Sequence, residues 1–163
     1  MPWVWVSLGS NLHRTASLRG AVRRLREHAG DLVLSSVYES AAVGSPGPPF
    51  YNLVAGFATE LGVADLNRWF HAIEAAFGRQ RSADKNAPRT LDLDLLTYGG
   101  AVGVIDGYAL PRDEILRYAF VLGPLAEVAP NGRHPANGQA YAELWSAFPK
   151  GEQRLRVVPV DLG

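Results

Sequence analysis

The stretch Leu91-Asp92-Leu93-Asp94-Leu95-Leu96 decides how this 163-residue chain is organised. Successive side chains on a β-strand point to opposite faces, so Leu91, Leu93 and Leu95 share one face while the two aspartates share the other. The leucines can enter a core and leave two carboxylates side by side. We therefore predict a strand over Leu91–Leu96 whose second face holds a functional site.

The elements before this stretch make it the fourth strand of a sheet. β-branched and aromatic residues predict strands over Trp3–Leu8, Leu32–Tyr38 and Leu53–Glu60. Apolar residues at helical spacing predict one helix from Leu18 to Ala29 and another from Leu66 to Phe77. The order βαββαβ is typical of a ferredoxin-like α+β fold, an antiparallel sheet with two helices on one face.

Shorter elements follow the fourth strand. The pattern predicts an extra strand near Ala101–Ile105, helices over Arg117–Ala129 and Gln139–Phe148, and a closing strand over Leu155–Val160. We find no repeat, low-complexity tract or linker, and we predict one domain over residues 1–163. The expected fold is thus a ferredoxin-like core with an antiparallel sheet flanked by helices, C-terminal helices and an extra strand.

The composition excludes several classes of function. Lys plus Arg and Asp plus Glu both number 16, and this neutral balance argues against a dominant nucleic-acid or anionic-membrane surface. The absence of cysteine excludes disulfides, thiolate zinc sites and iron–sulfur clusters, so a metal must be held by oxygen or imidazole. No apolar run approaches the ~18 residues of a membrane span. We expect a cytoplasmic monomer with small-molecule partners, no nucleic acid and no membrane.

Four cations precede the paired aspartates: Arg79, Arg81, Lys85 and Arg89. Guanidinium groups bind phosphate oxygens bidentately, and ammonium groups act as mobile point charges. Paired carboxylates favour Mg²⁺, whose usual protein site is one or two carboxylates plus substrate phosphates. This combination of groups predicts phosphoryl transfer, in which positioning and charge neutralisation do most of the catalysis.

Two other interpretations of the aspartates remain open. They could lie on a solvated sheet face and pair with the arginines as surface salt bridges, each contributing about 0–1 kcal/mol. They could also form a two-metal phosphodiesterase centre acting on nucleic acid. The group of cations favours a site over simple salt bridges, and the neutral net charge opposes nucleic acid as the substrate.

The stretch Pro88-Arg89-Thr90-Leu91-Asp92-Leu93-Asp94-Leu95 is the most distinctive motif of the chain. Further motifs lie along most of the chain: Leu8-Gly9-Ser10-Asn11-Leu12, Ser35-Ser36-Val37-Tyr38-Glu39-Ser40, Phe50-Tyr51-Asn52, Glu74 with Gly78-Arg79-Gln80-Arg81, and Ala119 to Pro130. In these motifs, and in their order and spacing, the chain resembles the 6-hydroxymethyl-7,8-dihydropterin pyrophosphokinases of the folate pathway. The combination is much more specific than any single stretch.

The resemblance implies a reaction and a set of site residues. ATP would donate pyrophosphate to the hydroxymethyl oxygen of a reduced pterin, AMP would leave, and two Mg²⁺ ions would be bound by Asp92 and Asp94. Phe50 and Phe120 would stack on the pterin ring and Asn52 would bind its polar edge, although ordinary core packing also explains the two phenylalanines. The implied pterin residues are Ser40, Ala41, Val43, Phe50, Asn52 and Phe120.

The remaining implied residues lie on the nucleotide side. Arg79, Arg81, Arg89 and Lys85 are expected to be catalytic, by neutralising phosphate charge. The expected ATP-binding residues are His71, Glu74, Arg81, Arg89, Leu95, Arg112 and Tyr118, with His71 included because its helix leads into the arginine-rich loop.

Several positions depart from the family pattern, and they crowd the nucleotide side. Lys85-Asn86 stands where relatives commonly carry arginine and tryptophan, Arg112 where histidine is usual, and Tyr118 where an arginine is usual. One alternative is therefore a non-catalytic pterin- or nucleotide-binding relative, and another is a kinase with an altered donor. We favour a working enzyme, because two aspartates kept together with the arginines need metal and phosphate to offset their charges.

Overall fold

A computed structural model of the chain describes residues 1–41, 47–77 and 91–163. The helices in these ranges are α1 (Arg14–Ala29), α2 (Val63–Ala76), α3 (Glu114–Arg117), α4 (Ala119–Val128) and α5 (Tyr141–Ala147). The strands are β1 (Trp3–Ser10), β2 (Val33–Leu34), β3 (Val37–Ser40), β4 (Phe50–Ala58), β5 (Asp92–Tyr98), β6 (Gly103–Ile105), β7 (Tyr108–Leu110) and β8 (Arg156–Val158). No helix of the described ranges is long and apolar enough to cross a membrane.

The main sheet is antiparallel, with strand order β5-β1-β4-β3-β8 and with β2 also paired to β4. β1 lies between β4 and β5, and its Leu8 is opposite Leu53 on one side and Leu93 on the other. The first four strands of that order are the strands of the predicted βαββαβ core. The ferredoxin-like α+β prediction is therefore confirmed.

The two faces of this sheet have different covers. One face packs against α1 and α2 through a core that includes Val6, Leu93, Leu18 and Phe70. On the other face, a smaller core around Val54, Leu96, Leu122 and Tyr141 packs α4 and α5 against β4 and β5. Because side chains alternate along each strand, the polar residues of β5 lie on this second face beside that cover.

The predicted strand Leu32–Tyr38 is divided into β2 and β3. The regular ladder changes at Ser35, whose N–H still donates to the Val54 carbonyl at 2.9 Å. The Val54 N–H, however, donates to the Ser35 Oγ at 2.9 Å, and this hydroxyl donates to the Ser36 carbonyl at 2.8 Å. The Ser36 N–H then turns to the carboxylate of Glu127. Side-chain hydrogen bonds of this kind compete with strand pairing and interrupt it.

The predicted helix Arg117–Ala129 is divided as well. Tyr118 has extended backbone angles, φ −123° and ψ 127°, and lies between α3 and α4. Its N–H closes α3 by donating to the Glu114 carbonyl, and its carbonyl accepts the first hydrogen bonds of α4. The sequence signal that we followed, apolar periodicity, does not register a one-residue break of this kind.

The extra strand near Ala101–Ile105 is β6, and it pairs with β7, which we did not predict. Asp106 and Gly107 connect the two strands, both with positive φ (52° and 86°). An Asp-Gly pair with these angles is typical of a tight hairpin turn, so this dipeptide was a sequence signal from which β7 could have been predicted.

Glu127 ties the end of α4 to the connection between β2 and β3. Its carboxylate accepts hydrogen bonds from the Ser36 N–H at 3.0 and 3.1 Å, the Ser36 hydroxyl at 2.8 Å and the Tyr38 hydroxyl at 2.6 Å. Partial burial of Tyr38 is the main cause that raises the pKa of its hydroxyl above the ordinary value. The hydrogen bond to Glu127 and the negative charge of Glu127 raise it further. The contact fixes α4 against the sheet, and α4 begins with Ala119-Phe120, next to the site described below.

We predict that Glu127→Ala lowers the free energy of unfolding by about 1 kcal/mol, because the partly exposed Tyr38 hydroxyl and Ser36 donors lose a charged acceptor and bind water instead. Urea unfolding measures the change. Glu143→Ala removes an exposed glutamate outside this network and should change stability by about 0.5 kcal/mol or less. Equal effects of the two substitutions would show that the Glu127 contact does not hold α4.

Candidate active site

A cavity of about 290 Å³ opens on the second face of the sheet, at the polar ends of β1, β4 and β5. The start of α4 and the residues before α3 complete its walls. Its lining residues are Ser7, Leu8, Gly9, Ser40, Ala41, Phe50, Asn52, Asp92, Asp94, Arg112, Glu114, Phe120 and Val121. The cavity therefore brings both predicted metal ligands together with five of the six predicted pterin-binding residues.

The acidic wall of this cavity comes from β5. Asp92 lies opposite Gly9 on β1, and Asp94 lies opposite Ser7. Leu93 between them is 3% exposed and belongs to the core on the other face. Small partners on β1 leave space in front of both carboxylates, so the two side chains face the cavity together.

Arg112 faces the same wall from the opposite direction. Its Nη2 lies 3.5 Å from Oδ1 of Asp94, and its guanidinium also forms an ion pair with Glu114. The backbone N–H of Arg112 donates to the Leu96 carbonyl at 2.8 Å, which fixes this segment to β5. Among the described residues that line the cavity, Arg112 is the only lysine or arginine.

The electrostatic environment raises the pKa of Asp94 from its ordinary value of 3.8 to about 6. Partial burial in the cavity is the largest cause; the positive charge of Arg112 opposes it, and the nearby charges of Asp92, Glu74 and Glu114 add to it. Asp94 keeps 42% of its side-chain surface exposed, so solvent screens part of this unfavourable electrostatic environment. The ionised carboxylate would gain from additional positive charge at this position.

The donor set of this wall fits Mg²⁺. In the described ranges, no three His, Cys, Asp or Glu side chains are grouped so that they could hold a metal ion by themselves. Mg²⁺ seldom uses such a group, because it keeps several water ligands and is usually bound by one or two carboxylates plus substrate phosphates. Asp92 and Asp94 supply that number of carboxylates on an open wall.

The other end of the cavity is lined by the Asn52 amide and by the aromatic side chains of Phe50 and Phe120. Nδ2 of Asn52 donates a buried hydrogen bond to Oγ of Ser40 at 2.7 Å, which orients the Asn52 amide. A Cβ atom at Gly9 would lie 3.0 Å from Oδ1 of Asn52 and 3.6 Å from the Phe50 ring. Glycine at this position therefore keeps the space between the amide and the aromatic side chain open. Phe120 lines the cavity from α4.

Four predicted ATP-binding residues lie outside the lining of this cavity: His71, Glu74, Leu95 and Tyr118. His71 is exposed on α2. Glu74 is 3% exposed, and its Oε2 accepts a hydrogen bond from the Leu93 N–H at 2.9 Å, so it supports the backbone between the two aspartates. The Leu95 side chain is buried in the core on the α1 and α2 face.

Five other predicted residues, Val43, Arg79, Arg81, Lys85 and Arg89, lie outside the described residues. Their roles stay predictions.

Five residues that line the cavity were not predicted: Ser7, Leu8, Gly9, Glu114 and Val121. Ser7 and Gly9 follow the same two-residue alternation on β1 that Asp92 and Asp94 follow on β5, so period-two analysis of both strands could have found them. Glu114 has no such signal, since it reaches the cavity through its ion pair with Arg112.

The cavity of this small α+β protein contains paired carboxylates and an arginine beside aromatic side chains. These are the groups that phosphoryl-transfer enzymes use, which defines the class of protein. The sequence model of the 7,8-dihydro-6-hydroxymethylpterin-pyrophosphokinase family matches residues 5–130. The chain therefore belongs to this family.

Two curated relatives carry the name 2-amino-4-hydroxy-6-hydroxymethyldihydropteridine pyrophosphokinase. The protein from Synechocystis is 37% identical over 142 residues, which cover 85% of this chain and 72% of that protein. The protein from Pseudomonas aeruginosa is 37% identical over 158 residues, which cover 93% of this chain and 96% of that protein.

Solved structures show the same fold at low identity. The wild-type HPPK-DHPS chain of Plasmodium falciparum, solved with pteroate, has a TM-score of 0.67 and 12% identity. The match covers 89% of this chain and 42% of that longer chain. At this identity the likeness concerns the fold alone.

We predict that the contribution of Asp94 to the free energy of unfolding falls as pH rises from about 4 to about 6. The reason is that the Asp94 carboxyl group loses its proton at lower pH in the unfolded chain than in the folded chain. Above pH 6 the ionised carboxylate destabilises the fold to its full extent. Asp94→Asn should therefore raise the melting temperature at pH 7.5 in the presence of a chelator, and this gain should vanish below pH 4.

Thermal unfolding from pH 3.5 to 8 measures this dependence, with Asp31→Asn as the control for loss of an exposed carboxylate. A lower melting temperature for Asp94→Asn at pH 7.5 would mean that the contact with Arg112 outweighs the burial of the charge.

Proposed function

We propose that this chain transfers pyrophosphate from ATP to the hydroxymethyl oxygen of 6-hydroxymethyl-7,8-dihydropterin and releases AMP, as a step of folate biosynthesis. The observation that carries this proposal is a single cavity in which Asp92 and Asp94 lie with Phe50, Asn52 and Phe120. Family membership supports pyrophosphokinase activity over a non-catalytic binding role.

The acidic end of the cavity suits the triphosphate. Asp92 and Asp94 would hold two Mg²⁺ ions, which when bound neutralise the phosphate oxygens of ATP and the charge that develops during transfer. Arg112 lies next to Asp94 and can direct its guanidinium to a phosphate oxygen once Asp94 is neutralised. We assign Arg79, Arg81, Lys85 and Arg89 the same task from the preceding loop.

The aromatic end suits the pterin. Phe50 and Phe120 provide ring faces for a planar heterocycle, and Asn52 provides an amide for its polar edge. The hydrogen bond from Asn52 to Ser40 holds that amide before the substrate binds, which lowers the entropy cost of binding. In this arrangement, the hydroxymethyl oxygen would lie towards Asp92 and Asp94. It would attack the β-phosphorus of ATP and lose its proton to solvent, while the bond between the β-phosphorus and the oxygen of the departing AMP breaks.

We also propose that residues 1–163 act as one domain and as a monomer. ATP and Mg²⁺ are both abundant in the cytoplasm, and we propose that the chain works there. The small-molecule pterin and ATP are its partners in this proposal.

The direct test is incubation of the protein with ATP, Mg²⁺ and the hydroxymethyl dihydropterin, followed by measurement of AMP. We expect one AMP for each pterin pyrophosphate formed. Asp92→Asn and Asp94→Asn should each lower kcat by about 100-fold or more, because each removes a charge that acts on the transferring group.

Asp31→Asn is the matched control, since it removes an exposed carboxylate outside the cavity, and it should keep wild-type kcat within about twofold. Thermal unfolding checks that all three variants fold. Absence of AMP from folded wild-type protein would contradict the proposed function, and full activity of either cavity variant would contradict the role of the aspartates.

A further inference from the structure

Tyr118, which directly precedes α4, and Phe120, the second residue of α4, have stacked rings. Their ring centroids are 5.1 Å apart and their planes differ by 12°. Phe120 lines the candidate active site and also a second cavity of about 1010 Å³, whereas Tyr118 lines only the second cavity. Tyr118 therefore stacks on Phe120 where that ring borders the second cavity, while Phe120 also borders the active-site cavity.

Gln153 in the C-terminal segment hydrogen-bonds to the backbone of both sequence neighbours of Tyr118. Oε1 of Gln153 accepts a hydrogen bond from the Ala119 N–H at 2.8 Å, and its Nε2 donates one to the Arg117 carbonyl at 3.1 Å. The Tyr118 N–H donates to the Glu114 carbonyl at 3.0 Å, and the Arg117 guanidinium lies 5.4 Å from the centre of the Tyr118 ring. Gln153 lies outside residues 5–130, the part that the family model matches.

The second cavity gives the Phe120 side chain space in which to rotate, so a contact that fixes this side chain affects ligand binding. A half-buried phenylalanine with open space behind it can rotate into that space, and a ligand that stacks on it must then restrict the rotation at a cost in entropy. A ring stacked on its rear face fills part of the space and keeps the side chain in one orientation. The binding surface for a flat ligand is then formed before the ligand arrives.

We propose that Tyr118 is a positioning residue of the pterin side, whose ring supports Phe120 while Gln153 holds Tyr118 in place. This inference rests on the proposed function and deepens it. It differs from the expectation from sequence, which placed Tyr118 among the ATP contacts.

The test compares Tyr118→Leu with Tyr118→Phe. We measure Kd for the dihydropterin by fluorescence titration, with α,β-methylene ATP and Mg²⁺ present, and KM for both substrates. Tyr118→Leu should raise the pterin Kd by about fivefold, within the range that a stacked aromatic pair contributes, and leave KM for ATP within about twofold. Tyr118→Phe should keep the wild-type Kd for the pterin, because stacking on Phe120 needs the aromatic ring and not the hydroxyl group.

A second variant, Gln153→Ala, tests the same proposal if Tyr118→Leu does not fold. Gln153→Ala should raise the pterin Kd two- to fivefold with no change in KM for ATP, a range that matches the partial loss of one aromatic contact. Gln139→Ala, which removes an exposed glutamine side chain elsewhere, should bind pterin as the wild type does. A purely structural role for Tyr118 or Gln153 would not separate pterin affinity from ATP affinity in this way.

Three results would overturn the inference. Tyr118→Leu could raise KM for ATP and leave pterin affinity unchanged, which would make Tyr118 an ATP contact. Tyr118→Phe could behave like Tyr118→Leu, which would assign the effect to the hydroxyl group. Both Tyr118→Leu and Gln153→Ala could bind pterin normally in a chain whose wild type is active, which would overturn this inference alone; a wild type that neither binds nor converts pterin would overturn the proposed function with it.

Discussion

Two carboxylates on one face of a strand are a constraint that the surrounding structure must satisfy. Asp92 and Asp94 are separated by a single residue, so the strand pleat that buries Leu93 directs both of them into the same cavity. Like charges this close need compensation, and partial burial adds to the need. Among the described residues, Arg112 provides part of this compensating charge, with its Nη2 3.5 Å from Oδ1 of Asp94. Ser7 and Gly9 lie opposite the two aspartates on β1, and their small size leaves room for further cations and phosphates.

The aromatic end of the cavity depends on a different element, helix α4. Glu127 fixes the C-terminal end of this helix to the β2–β3 connection, and Gln153 binds the backbone at its N-terminal end. Phe120 lies between these two attachments, close to the N-terminal one. The acidic end is thus positioned by strand alternation, whereas the aromatic end is positioned by side chains that come from distant parts of the chain.

This difference explains how much of the molecule the sequence could predict. The βαββαβ order and the shared face of Asp92 and Asp94 follow from local periodicity, and both were predictable. The contact of Gln153 with Arg117 spans 36 residues and leaves no local pattern, so neither it nor the stacking of Tyr118 on Phe120 could be predicted. Glu74 shows the same limit, because its hydrogen bond from the Leu93 N–H joins α2 to β5 across 19 residues and leaves no local pattern.

A crystal structure with Mg²⁺, α,β-methylene ATP and the dihydropterin would test the role of the two aspartates as metal ligands. We expect two metal ions that bridge the triphosphate, each within about 2.0–2.1 Å of a carboxylate oxygen from Asp92 or Asp94. Fully bound nucleotide with no ion at this pair, or carboxylates directed away from each other and from the phosphates, would contradict this role.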